Sequence, residues 1–238
     1  MKGSSLVIAV IASLCAASLQ ASDDVLIIER SAVRSGVGPQ FVEKAEKELE
    51  HGDSQSARRD IETAIQKDPT YWPAFYVRAE LFVRDGKWAL AIQDCNSLLR
   101  QDSTFIPAAL LRATINSHIG NYAAASKELD HLITLQPRLY YYAKALDARA
   151  WFRATCPDAG FRKPQQAIHD ATTACRITNW LGSNYIDTLA VAYAAAGDFD
   201  SAVRYEQQAM QAHDAGEMKK TLDQHLAVFR QHHAVTLR

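Results

Sequence analysis

Glycine and proline are scarce in this chain, at 10 and 7 in 238 residues, while alanine is plentiful. Sheet proteins built of many short strands need frequent turn residues, so this balance argues against a sandwich or barrel and for helices. Net charge is nearly absent at −1, which leaves no bulk pull toward nucleic acid or an anionic membrane. Catalytic signatures are missing as well. The sequence contains no HExxH, no GxSxG, no paired CxxC and no glycine-rich phosphate loop. The histidines are scattered; His225, His232 and His233 read as part of a solvated polar face without organised carboxylate or thiolate partners. No metal, no cofactor and no catalytic residue is expected. His169 and Asp170 are adjacent in sequence and so fall on different faces of a helix, which is not the geometry of a catalytic pair.

Cysteine is sparse too. With Cys15 set aside in an N-terminal apolar stretch, three remain, and an odd count is not a disulfide framework. Cys95 falls at a core position. Cys156 and Cys175 are the one candidate pair, with an expected axial offset of about 16 Å at 1.5 Å per helical residue. A disulfide needs α-carbons within about 7 Å, so no bond is expected unless the intervening loop folds back.

Residues 1–21 have the layout of a secretory signal peptide. Lys2 precedes the apolar run Leu6 to Leu14, small residues follow at Ala16, Ala17, Ser18 and Ala21, and Asp23-Asp24 come next. Cleavage is expected after Ala21, with Ala17 as the competing site. A membrane-spanning helix wants about 20 apolar residues, more than this stretch supplies. The bulky Leu14 before Cys15 does not suit lipid attachment. The mature chain is therefore expected to be exported, periplasmic or secreted, without a membrane span.

What is present is a period. Gly52, Gly86 and Gly120 are each 34 residues apart, as are Ala57, Ala91 and Ala125, and Gly197 with Ala202 repeats the unit once more. A period of this length marks a helical repeat array. In each unit helix A carries a small residue near its middle (Ala45, Ala79, Ala113, Ala150, Ala190), and glycine ends the helix. A short turn leads into helix B, which holds the second small residue (Ala57, Ala91, Ala125, Ala167, Ala202). Pro69 and Pro137 close two of the B helices.

Phe75, Ala79, Phe82, Gly86, Ala91 and Leu98, and again Leu189, Ala190, Tyr193, Gly197, Ala202 and Ala209, give the chain a resemblance to the tetratricopeptide repeat family. The consensus tryptophan of helix A is missing, Ser103 replaces a closing proline, and Arg78, Arg112 and Arg149 stand where the family more often has leucine. The resemblance implies an all-α, right-handed solenoid of stacked antiparallel helix pairs. It covers residues 38–216 in five units: 38–71, 72–105, 106–139, 140–182 and 183–216. Unit four departs from the period: Ala113 to Ala150 spans 37 residues, and Ala150 to Ala167 spans 17 instead of 12. The extra residues are expected in an aromatic turn at Tyr140-Tyr141-Tyr142 and in the loop Thr155 to Gly160. The run Ala150 to Asp158 resembles a repeat variant of exported bacterial proteins.

In arrays of this family the A helices line a concave groove. Transferring the groove positions unit by unit implies a partner-binding set of Tyr76, Glu80, Arg84, Leu110, Thr114, His118, Lys144, Asp147, Trp151 and Asp187, with Val191 beside the last. Mixed charges in this set argue against a carboxylate clamp for a peptide C-terminus. The implied function is a non-enzymatic scaffold or adaptor for a protein or peptide partner. The alternative is a structural component of a cell-envelope assembly, held by convex or terminal surfaces. Two flanks complete the chain. Residues 22–37 include the apolar Val25 to Ile28, expected to dock on the first repeat. Residues 217–238 read as one amphipathic capping helix with Leu222, Leu226, Phe229 and Val235 on its apolar face.

Overall fold

Four helices among the described residues end on a left-handed glycine. The computed structural model describes residues 38–237, and Gly52, Gly86, Gly120 and Gly197 there adopt φ of 80°, 71°, 85° and 83°. A Cβ at any of the four would meet nothing within 4 Å, so backbone conformation and not lack of room demands glycine. Around Gly86 the amide of Lys87 reaches back to the carbonyl of Phe82 at 2.8 Å, and Gly86 itself bonds Val83 at 3.0 Å. This is a Schellman closure, and the equivalent bonds recur at Gly52 and Gly197. Asp53 and Asp198 then cap the next helices, each accepting from the amide three residues on at 3.0 Å.

Eleven α-helices and no strand occur among the described residues. They are α1 (Gly38–Glu50), α2 (Ser54–Lys67), α3 (Trp72–Arg84), α4 (Trp88–Gln101), α5 (Ile106–His118) and α6 (Tyr122–Thr134). The chain continues through α7 (Leu139–Thr155), α8 (Pro164–Ile177), α9 (Ser183–Ala195), α10 (Phe199–Ala209) and α11 (Ala215–Arg230). None is long and apolar enough to cross a membrane. The described chain divides into two compact units, residues 38–112 and 113–237.

In the first unit α1 packs on α2, α2 on α3 and α3 on α4, and α1 also touches α3. Val42, Ile61, Val77 and Leu81 form the buried centre. In the second, α6 packs on α7, α7 on α8, α8 on α9, α9 on α10 and α10 on α11. Helix α9 also lies against α7 and α11. Its core gathers Leu146, Ile186, Leu189, Leu222 and Phe229 around a set of alanines. All ten small residues singled out by the repeat, from Ala45 to Ala202, are fully buried at 0% exposure. Consecutive helices therefore approach with only a methyl group between them at each repeat, which is what the period specifies.

Charged pairs tie successive helices. Arg78, on the A helix α3, donates to both carboxylate oxygens of Asp94 on α4, at 2.8 and 2.7 Å. Arg112 on α5 donates to Asn96 on α4. Arg149 occupies the same repeat position on α7 and bonds Asp170 on α8 at 2.8 and 2.9 Å and Asp130 on α6 at 3.1 Å. The three arginines that depart from the family pattern thus serve as ties between helices.

At the surface, Arg58 on α2 donates to both oxygens of Asp85 beyond the end of α3. That hydrogen-bonded pair, assisted by Lys87, holds the Asp85 carboxyl down at about 2. A folded-state value below the ordinary carboxylate range stabilises the fold above roughly pH 4, and the contribution drains away as pH falls toward 2. Asp85→Asn is expected to cost about 1 kcal/mol at pH 7, given the partial exposure of the pair, and to flatten the fall in stability between pH 4 and 2. Urea melts at pH 7, 4 and 2.5 measure both effects.

The fourth unit absorbs its extra residues differently from expectation. Tyr140-Tyr141-Tyr142 is no turn: the three begin α7, which runs for 17 residues against 13 in α5. The remaining extra residues form the loop after Cys156, pinned by the amide of Lys163 on the Arg153 carbonyl at 3.0 Å and by Phe161 against Tyr122 and Phe152. Cys95, Cys156 and Cys175 are free and buried. The C-terminal helix ends at Arg230, short of Val235, and the chain then turns at His232 (φ 56°) and returns to place the Leu237 amide on the Thr155 carbonyl at 2.8 Å. The leader at 1–21 and the lead segment at 22–37 lie outside the described residues.

Candidate functional site

The side chains expected to face a partner lie in both units. In residues 38–112, Arg84 is exposed at the end of α3, with Glu80 half-buried a turn before it and Leu110 half-buried on α5. Tyr76 departs from expectation. It is 7% exposed and sits edge-on to Phe105 at 5.8 Å, because the aromatic start of α3 packs against the entry to α5.

In residues 113–238, Thr114 and His118 are half-buried on α5, and burial lowers the His118 pKa. Lys144 lies 4.6 Å from the centre of the Tyr140 ring. Trp151 is half-buried, packed on the core and tilted over His225 at 6.0 Å. Asp187 and Val191 are the second departure. They are 2% and 0% exposed, because α11 covers this stretch of α9.

Under that cover lies a polar cluster that repeat alignment does not anticipate. Asp187 Oδ1 is 2.6 Å from His225 Nδ1, across from α9 to α11. Glu206, from α10, is 0% exposed and joins them; one ligand-type atom from each of the three residues lies within 4.8 Å of the others. His225 belongs to a buried stripe, not to a solvated polar face, whereas His232 and His233 are exposed. No donor lies in hydrogen-bonding geometry to either Glu206 oxygen or to Asp147 Oδ1, the indole N–H of Trp151 nearby finds no acceptor, and Glu206 meets the Asp187 carboxyl.

Burial drives the electrostatics of this group. It pushes Asp147 up to about 7, with the charge of Asp187 adding to the shift, although the residue as a whole is only half-buried; its Oδ1 is the part sealed from solvent. Burial raises Glu206 far above the carboxylate range, again helped by Asp187. For His225 burial acts downward, but the charge and hydrogen bond of Asp187 outweigh it and favour the imidazolium. Three carboxyl groups therefore meet one imidazole in a desolvated space.

No protein-family model matches the sequence, and no curated protein matches it either. Solved structures do match. A thermophilic tetratricopeptide-repeat protein of Thermus thermophilus superposes with a TM-score of 0.68 at 15% identity, over 80% of this chain and 100% of the other. The chain has the tetratricopeptide-repeat fold. A second tetratricopeptide-repeat protein, from Parabacteroides merdae, superposes with a TM-score of 0.57 at 18% identity, over 82% of this chain and 73% of that one. The tetratricopeptide pairing of A and B helices accounts for the alanine seams and glycine turns. Neither the buried acid–histidine cluster nor the arginine ties are required by it.

Proposed function

We propose that this tetratricopeptide-repeat chain is an exported scaffold that binds a protein or peptide on the face formed by its A helices. One observation supports this reading most. Within each unit neighbouring A helices touch, α1 against α3 and α7 against α9, so their outward positions lie next to one another. Glu80 and Arg84 in one unit, and Lys144 in the other, place charges of both signs on such surfaces, backed by alanine seams that leave little to order on binding. A non-enzymatic role fits this arrangement. Tyr76, Asp187 and Val191 are not part of the contact surface, because each is buried.

A photo-crosslinking amino acid placed singly at Arg84, Lys144, Gln93 and Gln207 tests the reading in the native envelope fraction. Gln93 and Gln207 are exposed on the B helices α4 and α10. Crosslinks to one partner are expected at Arg84 and Lys144 and not at the two glutamines. Crosslinks confined to the B-helix positions would replace this reading with a structural component of an envelope assembly. Intact mass of the captured chain also tests export, with residues 1–21 expected to be absent.

A further inference from the structure

We propose that Asp187, Glu206 and His225 form a binding site for a divalent cation, Zn²⁺ being the ion that the donor set fits best. The three residues come from three successive helices, α9, α10 and α11, and each is at least 95% shielded from solvent. Their donor atoms converge within 4.8 Å. A tetrahedral Zn²⁺ site with bonds near 2.1 Å sets its ligand atoms about 3.4 Å apart. The observed 2.6 Å between Asp187 and His225 would open by about 0.8 Å, and no pair would have to close by more than about 1.4 Å. Side-chain rotation supplies that.

Glu206 is the independent pointer to a ligand. It is fully buried and aimed into the cluster, no donor lies in hydrogen-bonding geometry to either oxygen, and its contact there is with a second carboxyl, that of Asp187. A buried carboxylate left in that state is costly, so it must hold a proton or a cation. The groups around it do not supply the missing positive charge. Trp151 meets His225 from α7, Asp147 on the same helix feels the Asp187 charge and bonds Thr188 of α9, and the Lys144 charge acts on Asp147. The one imidazole is already paired with Asp187, so an ionised Glu206 would have no counter-charge there, and a dication would supply it. Imidazole with carboxylate oxygen and no thiolate suits Zn²⁺, with Mn²⁺ next and Mg²⁺ poorly served by the nitrogen ligand. The bound ion would cross-brace α9, α10 and α11 and so fasten the C-terminal helix over the last repeat pair.

The test uses the full mature chain stripped with a chelator and then given Zn²⁺, Mn²⁺ or Mg²⁺ alone. One Zn²⁺ is expected to bind per chain and, at a hundredfold excess over Kd, to raise Tm by about 5 °C or more. Mn²⁺ should raise Tm less and Mg²⁺ little. Glu206→Gln reproduces the shape of the protonated acid, so it should fold and melt like the stripped wild type while losing the Zn²⁺ response. An unchanged Zn²⁺ response in Glu206→Gln, or no response in the wild type, overturns the site and leaves Glu206 holding a proton. Should that variant not fold, X-ray absorption at the zinc edge of the loaded wild type decides. One imidazole with oxygen ligands supports the site; several imidazoles, as surface histidines would give, or sulfur, overturns it.

Discussion

Asp170→Ala is expected to cost about 3–5 kcal/mol, the loss typical of removing one partner from a buried ion pair. The Asp170 side chain is 3% exposed, and it receives Arg149 through two bonds at 2.8 and 2.9 Å and Arg153 through a third at 3.2 Å. Both guanidiniums also reach Asp130, at 3.1 and 2.7 Å, but that carboxylate is 45% exposed and sits in effectively higher dielectric. Burial, followed by the charge of Arg149, already disfavours the charged form of Arg153. Without Asp170, two neighbouring buried cations would share one solvated anion. Asp130→Ala, by contrast, leaves the buried carboxylate in place and should cost about 1 kcal/mol. Denaturant melts of the two variants measure the difference. Hydrogen exchange should place the loss in α7 and α8, the helices these residues join.

The fold was legible because the repeat writes the same constraint several times. Each repeat glycine marks a left-handed residue, and each repeat alanine marks a close helix approach. A period of 34 residues makes either signal stand out from noise. The arginines were visible as departures from the family pattern, but their partners were not, since Asp94 lies 16 residues from Arg78 while Asp170 lies 21 from Arg149. The loop of unit four changes that offset. Tyr140 to Tyr142 illustrate the opposite error. Extra residues relative to a period suggest an insertion, yet no glycine or proline interrupts Leu139–Thr155, and continuous helix was the physical reading.

The buried acid–histidine cluster was hidden for a different reason. Asp187 occupies a repeat position that faces solvent when nothing lies over it, and here α11, outside the repeat, covers it. Two local signals were available. Glu206 falls between Ala202 and Ala209 at i+4 and i+7, on the buried stripe of α10, and all three are 0% exposed. His225 continues the stripe Met218, Leu222, His225 and Phe229 along α11. A carboxylate and an imidazole, each on the core stripe of an adjacent helix, point to a shared buried partner from the sequence pattern alone.

The largest effect of a purely apolar change is expected at Ala190. It lies fully buried on α9, the helix that touches α7, α8, α10 and α11, and its surroundings in the core include Ala150, Ala167, Ala171, Ala174 and Ala202. A seam of alanines holds helix axes near the short end of the usual 8–10 Å spacing, so there is no cavity into which a larger side chain can relax. Ala190→Leu should therefore cost about 3 kcal/mol, at the upper end for overpacking, and lower Tm by about 6–12 °C. Leucine matches alanine closely in helix propensity, so a loss of that size reports packing and not helix formation. Ala190→Gly separates the two causes, since it keeps the approach and loses about 1 kcal/mol to backbone entropy. Leucine at the exposed Ala123 of α6 is the matched control and should leave Tm within about 2 °C. If Ala190→Leu melts like Ala123→Leu, the alanine period does not set the helix spacing, and the physical basis for reading this sequence as a repeat array fails with it.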